Sequence, residues 1–186
     1  MGWVRDDIFK VPRTNIEGCD RAMAAVNRKI SKFIQYGTLG GLLKAVALVR
    51  RDMDRSYPKI PRDLGNLRSS FFVTSSSGKI AIGGGKEHSP TGASGKFVGP
   101  KAAQLAADHS TTLSEMAPMA KSLSKTYGGP VVIFGFSANY AMYVHEMWDP
   151  GIRWSTAQTG PGYFTVHLEK NKEKMFQIIR DNSKIK

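Results

Sequence analysis

Among the side chains best suited to chemistry, this 186-residue sequence offers four histidines, one cysteine and 15 carboxylates. Their tightest grouping is His145-Glu146 with Asp149. A zinc-binding helix wants a second histidine four residues after the first. Asp149 stands at that place, and Pro150 is expected to have ended the helix. The residues are therefore expected to hydrogen-bond locally, at a corner between a short helix and a loop. His88 and His109 fall in a Gly/Ser/Ala-rich stretch far along the chain, and His167 in the last amphipathic segment. Cys19, beside Gly18, reads as a small buried helix residue rather than a nucleophile. A lone cysteine allows neither an intramolecular disulfide nor a four-cysteine metal site, and fits synthesis in a reducing cytoplasm. Gly83-Gly84-Gly85-Lys86 lacks the strand–loop–helix context and the hydroxyl partner of a phosphate loop. No Gly-x-Ser-x-Gly elbow occurs, and no carboxylate pair stands out for acid–base work. The expectation is a protein that is not an enzyme and uses no cofactor or metal.

The elements that must position these groups follow from hydrophobic spacing. Residues 1–14 read as an irregular N-terminal arm. Ile16, Met23, Val26, Ile30, Phe33 and Ile34 recur at helical steps, predicting a helix to about Gln35 with Asn15 as N-cap and Gly37 as stop. Gly40-Gly41 restarts the chain. Leu42, Leu43, Val46, Val49 and Met53 mark a second helix, ended by Pro58 and Pro61. Arg68–Thr74 and Lys79–Gly83 read as two strands of a hairpin around Ser75–Gly78. Residues 83–129 form a long Gly/Ser/Ala-rich insertion, with short helices over about 101–108 and 113–126. Val131–Phe136 is a buried-type strand, Asn139–Glu146 a short helix and Tyr163–Asp181 a final amphipathic helix. The predicted class is α+β, a single domain over 1–186: two N-terminal helices, a small antiparallel sheet with a long inserted loop, and a C-terminal helix.

The formal charge is +12, with 27 Lys/Arg against 15 Asp/Glu. Residues 1–101 hold 18 of the basic and 8 of the acidic residues, so the excess belongs to the first half. Arg50, Arg51 and Arg55 cluster at the end of the second helix and are candidates for an interface. Such an excess points to a polyanion or an acidic protein surface. No base-reading motif accompanies it. Trp3, Trp148 and Trp154 lie in terminal or loop segments, where large aromatics anchor interfaces. No apolar run reaches 18 residues, so no membrane span is expected. The opening residues lack an apolar signal-peptide core.

Three segments resemble the HK97 gp10-like family of phage neck and tail-completion proteins, minor structural proteins of the head–tail junction. Pro58…Asp63-Leu64-Gly65-Asn66-Leu67-Arg68-Ser69-Ser70 is similar to its Pro…Thr-Gly-x-Leu-Arg-x-Ser signature, with Asp63-Leu64 in place of the threonine. Tyr140-Ala141-Met142-Tyr143-Val144-His145-Glu146 resembles its Tyr-Ala-x-Tyr-Val segment, with Met147-Trp148 where a glycine is usual. Gly162-Tyr163-Phe164 before the last helix looks like its Pro-x-Phe ending. Gly65 is expected to take a positive φ, Leu67 to enter the core and Arg68 to reach an acidic partner or a helix C-terminus. Tyr140 and Tyr143 are expected to share a helix face.

The resemblance implies a virion structural protein, a homo-oligomeric ring joining connector or head-completion proteins to tail-terminator or tail-tube proteins. Packaged DNA would run near its lumen without sequence recognition. Two other readings stay open: a basic, sequence-nonspecific nucleic-acid-binding protein, and a small metal-dependent hydrolase or nuclease using His145, Glu146 and Asp149.

Overall fold

Helix α1 spans Cys19–Arg55 as one element in the computed structural model, which describes residues 19–62, 65–78, 97–149, 151, 153, 154 and 156–184. The break predicted between Gln35 and Leu42 does not occur. A glycine inside a helix costs about 1 kcal/mol relative to alanine, so Gly37, Gly40 and Gly41 need a compensating reason. Gly41 supplies one. A Cβ there would stand 2.9 Å from Ile179 Cα and 3.1 Å from Asn182 Cβ, so the glycine lets another helix backbone lie against α1.

The chain divides into two units, Met1–Phe33 and Ile34–Lys186. In the first, the side chains described between residues 21 and 32 are all exposed, Met23, Val26 and Ile30 among them. The second unit holds the remaining elements. These are α2 (Asn66–Ser69), β1 (Phe71–Ser75), α3 (Ala102–Tyr127), β2 (Val132–Phe136), α4 (Ala141–His145) and α5 (Thr165–Ser183). Helices at both ends and a two-stranded antiparallel sheet make the class α+β, as predicted.

β1 pairs with β2 from Phe71↔Phe136 to Ser75↔Val132. The strand predicted over Lys79–Gly83 lies outside the described residues, as do 83–96 of the insertion. The rest of the insertion is mostly helix. Residues 102–127 form one helix instead of a loop with two short ones, and this helix lies against both strands. Its alanines favour helix, and it hides Leu105, His109 and Ala120 from solvent. It also passes through Pro118, which removes one backbone donor but does not end it.

Two apolar clusters make the core. Val49 and Met53 of α1 meet Ile60, Leu67, Leu105, Ala138, Ala141 and Tyr163 in one. Leu39, Leu43 and Val46 meet Val73 in the other, with Phe71 shared between them. Edge-to-face rings link the sheet to the start of α5: Phe136 sits 5.5 Å from Tyr163 and Phe134 5.7 Å from Phe164. Such pairs add about 0.5–1.5 kcal/mol beyond area burial.

The buried face of α5 is polar where sequence spacing pointed to its apolar residues. His167 and Asn171 are almost wholly enclosed, whereas Leu168, Met175, Ile178 and Ile179 are half-buried. His167 Nε2–H donates to the Pro58 carbonyl at 3.1 Å. Asn171 Nδ2 donates to Asp52 Oδ2 at 3.0 Å, joining α5 to α1. Further along, Lys44 Nζ donates to Asn182 Oδ1 at 2.6 Å, and the Thr38 and Ser183 hydroxyls lie 3.0 Å apart. No described helix is long and apolar enough to cross a membrane.

Candidate functional site

The segments singled out in the sequence meet around α2. Gly65 has φ 81° and ψ 0°, the left-handed conformation that reverses the chain into α2. Leu67 then enters the core, as expected. Asn66 does what no spacing rule signals. Its side-chain amide donates to Val98 O and accepts from Val98 N, both at 2.9 Å. This pair clamps the approach to α3 onto α2.

Arg68 finds its acidic partner inside the chain. Its Nε and Nη2 lie 2.9 and 3.1 Å from Asp54 Oδ1 and Oδ2, a two-pronged grip on α1 one residue from its end. Arg50, a candidate for an interface in the sequence, is turned inward. It is 9% exposed, donates through Nη2 to Arg68 O at 3.2 Å, and lays its guanidinium 4.7 Å over the Phe71 ring. Its Nε is 3.7 Å from Asp54 Oδ2. Burial pushes its pKa down to about 10, partly countered by Asp54, so it stays charged at neutral pH. Arg51 and Arg55 remain exposed. Pro58 is buried and serves through its carbonyl.

α4 carries the second segment. Tyr140 is its N-cap residue, half-buried against the core, and Tyr143 points outward at 70% exposure. The two differ in burial, Tyr140 packing on the core and Tyr143 facing solvent. Tyr163 OH donates to Ala141 O at 3.0 Å, and burial holds that phenol protonated well above its usual range. His145 has both ring nitrogens engaged. Nδ1 is 2.7 Å from Glu146 Oε1, and Nε2 is 3.3 Å from both the Thr165 N and its hydroxyl. With Nδ1–H donating to the carboxylate, Nε2 accepts from the first residue of α5 and caps that helix. Asp149 turns elsewhere, accepting from Gly151 N at 2.8 Å. The predicted hydrogen-bonded corner is present. Among the described residues no group of three His, Cys, Asp or Glu side chains is placed to hold a metal.

Sequence reasoning missed another pairing. His109 Nδ1 lies 2.6 Å from Ser137 Oγ, and that oxygen is 3.2 Å from Ser70 O. The spacing is that of a nucleophile and base, but His109 is buried and the Ser137 N–H also donates to Ser70 O at 2.9 Å. The group ties α3 to the turn after β2. Nothing in the sequence links residues 70, 109 and 137.

Two surfaces remain. Met142 (78% exposed) and Tyr143 on α4, and Trp148 (63%) just after it, turn large apolar side chains outward. Trp148 covers Gly162, where an added Cβ would stand 3.1 Å from its ring. On another side, a cleft of about 570 Å³ opens between α2, the start of α3 and α4. Leu67, Leu105, Val144 and Tyr140 face it with the half-buried Trp154, and Arg62, Lys101 and Arg153 stand exposed around it. Trp3 lies outside the described residues.

No family model matches the chain, and neither a curated protein nor a solved structure matches it.

Proposed function

We propose that this chain is a virion structural protein that forms a ring at the head–tail junction of a tailed bacteriophage, in a neck or tail-completion role and without catalytic activity. One observation carries the reading. Two of the segments that resemble the neck family, around Gly65–Ser70 and Tyr140–Glu146, pack into one core through Leu67 and Ala141, with Tyr163 from the third. Around that core the side chains suited to chemistry are spent on structure: Arg68 on Asp54, and His145 on Glu146 and Thr165. Met142, Tyr143 and Trp148 are left for contact with a neighbour.

A ring of identical subunits joins one face of each copy to a different face of the next. Connector or head-completion proteins on one side, and tail-terminator or tail-tube proteins on the other, are the partners this role requires. The test is a phage from which this protein is removed. Filled heads and separate tails that fail to join are the expected result; intact, infectious particles overturn the reading.

A second reading draws on one specific feature. Arg21, Arg28, Lys29 and Lys32 are all exposed on α1. Sequence-blind DNA binding by this stretch predicts affinity that falls steeply with salt. A filter-binding titration at two salt concentrations separates it from a purely protein-facing role.

A further inference from the structure

The described side chains of α1 between residues 21 and 32 are exposed on every side, with Met23, Val26 and Ile30 at 58, 52 and 40%. A helix of about 15 residues with no packed face is marginal in water, even when rich in alanine. Ion pairs along the helix do not support it, because no carboxylate occurs between Asp20 and Asp52. The apolar residues carry a pattern. Ile16, Cys19, Met23, Val26, Ile30 and Phe33 follow one another in the sequence at steps of three, four, three, four and three. That alternation averages about 3.5 residues, the repeat of a seam between helices that pack along their length. The cations avoid this stripe. At about 3.6 residues per turn, Arg21, Arg28 and Lys32 fall on the side opposite Met23, Val26 and Ile30. Arg28 Nε donates back to Ala24 O at 3.4 Å on that side. Lys29 flanks one edge of the stripe and the uncharged Asn27 the other.

We propose that the Met23–Val26–Ile30 stripe of α1 pairs with the same stripe of a second copy of the chain. The placement of charge selects this occupant. An anionic surface, whether lipid, nucleic acid or acidic protein, is met by cations, and Arg21, Arg28 and Lys32 lie across the helix from Val26 and Ile30. A partner on the apolar side must instead bring an uncharged seam in the same register, and an identical helix does so residue for residue. The net charge of +12 does not oppose the contact. Packed helices have axes about 8–10 Å apart, so the outward cations of two copies stand about 20 Å from each other, beyond the screening length of about 8 Å at physiological salt. Those cations stay free for a polyanion. Like meets like in this contact, so it closes on itself as a pair. It is distinct from a ring contact between unlike faces, and it stands whether or not the chain belongs to a virion.

The test is light scattering on the full chain over a range of concentrations, with circular dichroism to verify folding. The wild type is expected to associate, and raising the salt concentration should leave that association in place, because the contact is apolar. Val26→Gln/Ile30→Gln changes two exposed side chains and should weaken association at least tenfold. Arg28→Gln/Lys32→Gln, on the opposite side of the helix, should change it less than twofold. A wild type that stays monomeric at its highest soluble concentration overturns the proposal. So does a Val26→Gln/Ile30→Gln variant that associates as the wild type does; a ring that keeps its full mass in that variant removes this contact and leaves the ring reading standing. Association that salt or Arg28→Gln/Lys32→Gln abolishes would assign it to the cationic side and overturn the pairing. Vesicles of phosphatidylglycerol give a further measurement. Wild-type binding to them that Val26→Gln/Ile30→Gln removes would assign the stripe to a lipid surface and overturn the pairing; vesicle binding that the substitution leaves unchanged supports it.

Discussion

Two adjacent glycines in α1 should respond to the same substitution in opposite directions. Alanine is favoured over glycine inside a helix by about 1 kcal/mol, largely because glycine has more backbone freedom to lose. At Gly40 nothing lies within 4 Å of an added Cβ, so Gly40→Ala should keep that gain. At Gly41 the new atom would stand 2.9 Å from Ile179 Cα and 3.2 Å from Ile179 O. Both are backbone atoms and cannot rotate away, so α5 itself must move. Overpacking of this kind costs about 1–3 kcal/mol. It also strains the Lys44–Asn182 and Thr38–Ser183 contacts that hold the same crossing. Gly40→Ala should therefore stabilise by about 0.5–1 kcal/mol, and Gly41→Ala should destabilise by up to about 2 kcal/mol. The unfolded chain gains the same stiffness in both variants, so the difference between them reports the native contact. Urea denaturation followed by circular dichroism, with equal slopes for the two variants, measures it. Equal stability of the two, or a more stable Gly41→Ala, would refute the claim that Gly41 exists to admit α5.

Asp54→Ala removes the grip of Arg68 and leaves the buried Arg50 guanidinium without its carboxylate. A loss of about 2–4 kcal/mol is expected by urea titration, reduced from the fully buried case because Arg68 is a third exposed. Tyr163 has its folded-state pKa raised by burial, so its contribution is complete below the unfolded value near 10 and disappears as pH rises above it. Tyr163→Phe should flatten the alkaline arm of the stability curve, and an unchanged arm would show that other groups govern it. His145→Ala should cost about 1–2 kcal/mol through the lost α5 cap and the lost Glu146 contact. If His145 is structural, a divalent-metal chelator should leave the wild-type melting temperature where it was; a drop of several degrees would revive the metal-dependent reading.

The fold class was legible because it rests on periodicity: the Leu43–Val46–Val49–Met53 stripe occupies the core positions its spacing implies, and the β-branched and aromatic run Val132–Phe136 forms its strand, although that strand is half-buried throughout and not the buried one its apolar run suggests. Gly65 and Leu67 were legible for a similar reason, since a single residue's conformational or apolar character decides its place. Gly40-Gly41 misled because a glycine pair looks the same whether it breaks a helix or admits a partner, and only the position of Ile179 tells them apart. The polar face of α5 was hidden because His167 and Asn171 are buried by virtue of Pro58 O and Asp52, both more than a hundred residues away. Arg50 carries no sequence mark that sets it apart from Arg51 and Arg55, because Phe71 and Asp54 come around it only in the fold. The cationic cleft assembles residues from four separate segments and leaves no local trace.

The pairing of β1 with β2 has a kinetic consequence. The 56 residues from 76 to 131 separate the two strands, with α3 between them. Closing a flexible loop of that length costs about 3–4 kcal/mol of chain entropy before the first ladder hydrogen bond forms. α1, α3 and α5 need no such closure to begin forming. The sheet is therefore expected to form after these helices, on the native side of the folding barrier. Substitutions that weaken the ladder should act chiefly on how fast the native protein opens, while those along the helices that assemble earlier should govern how fast it forms.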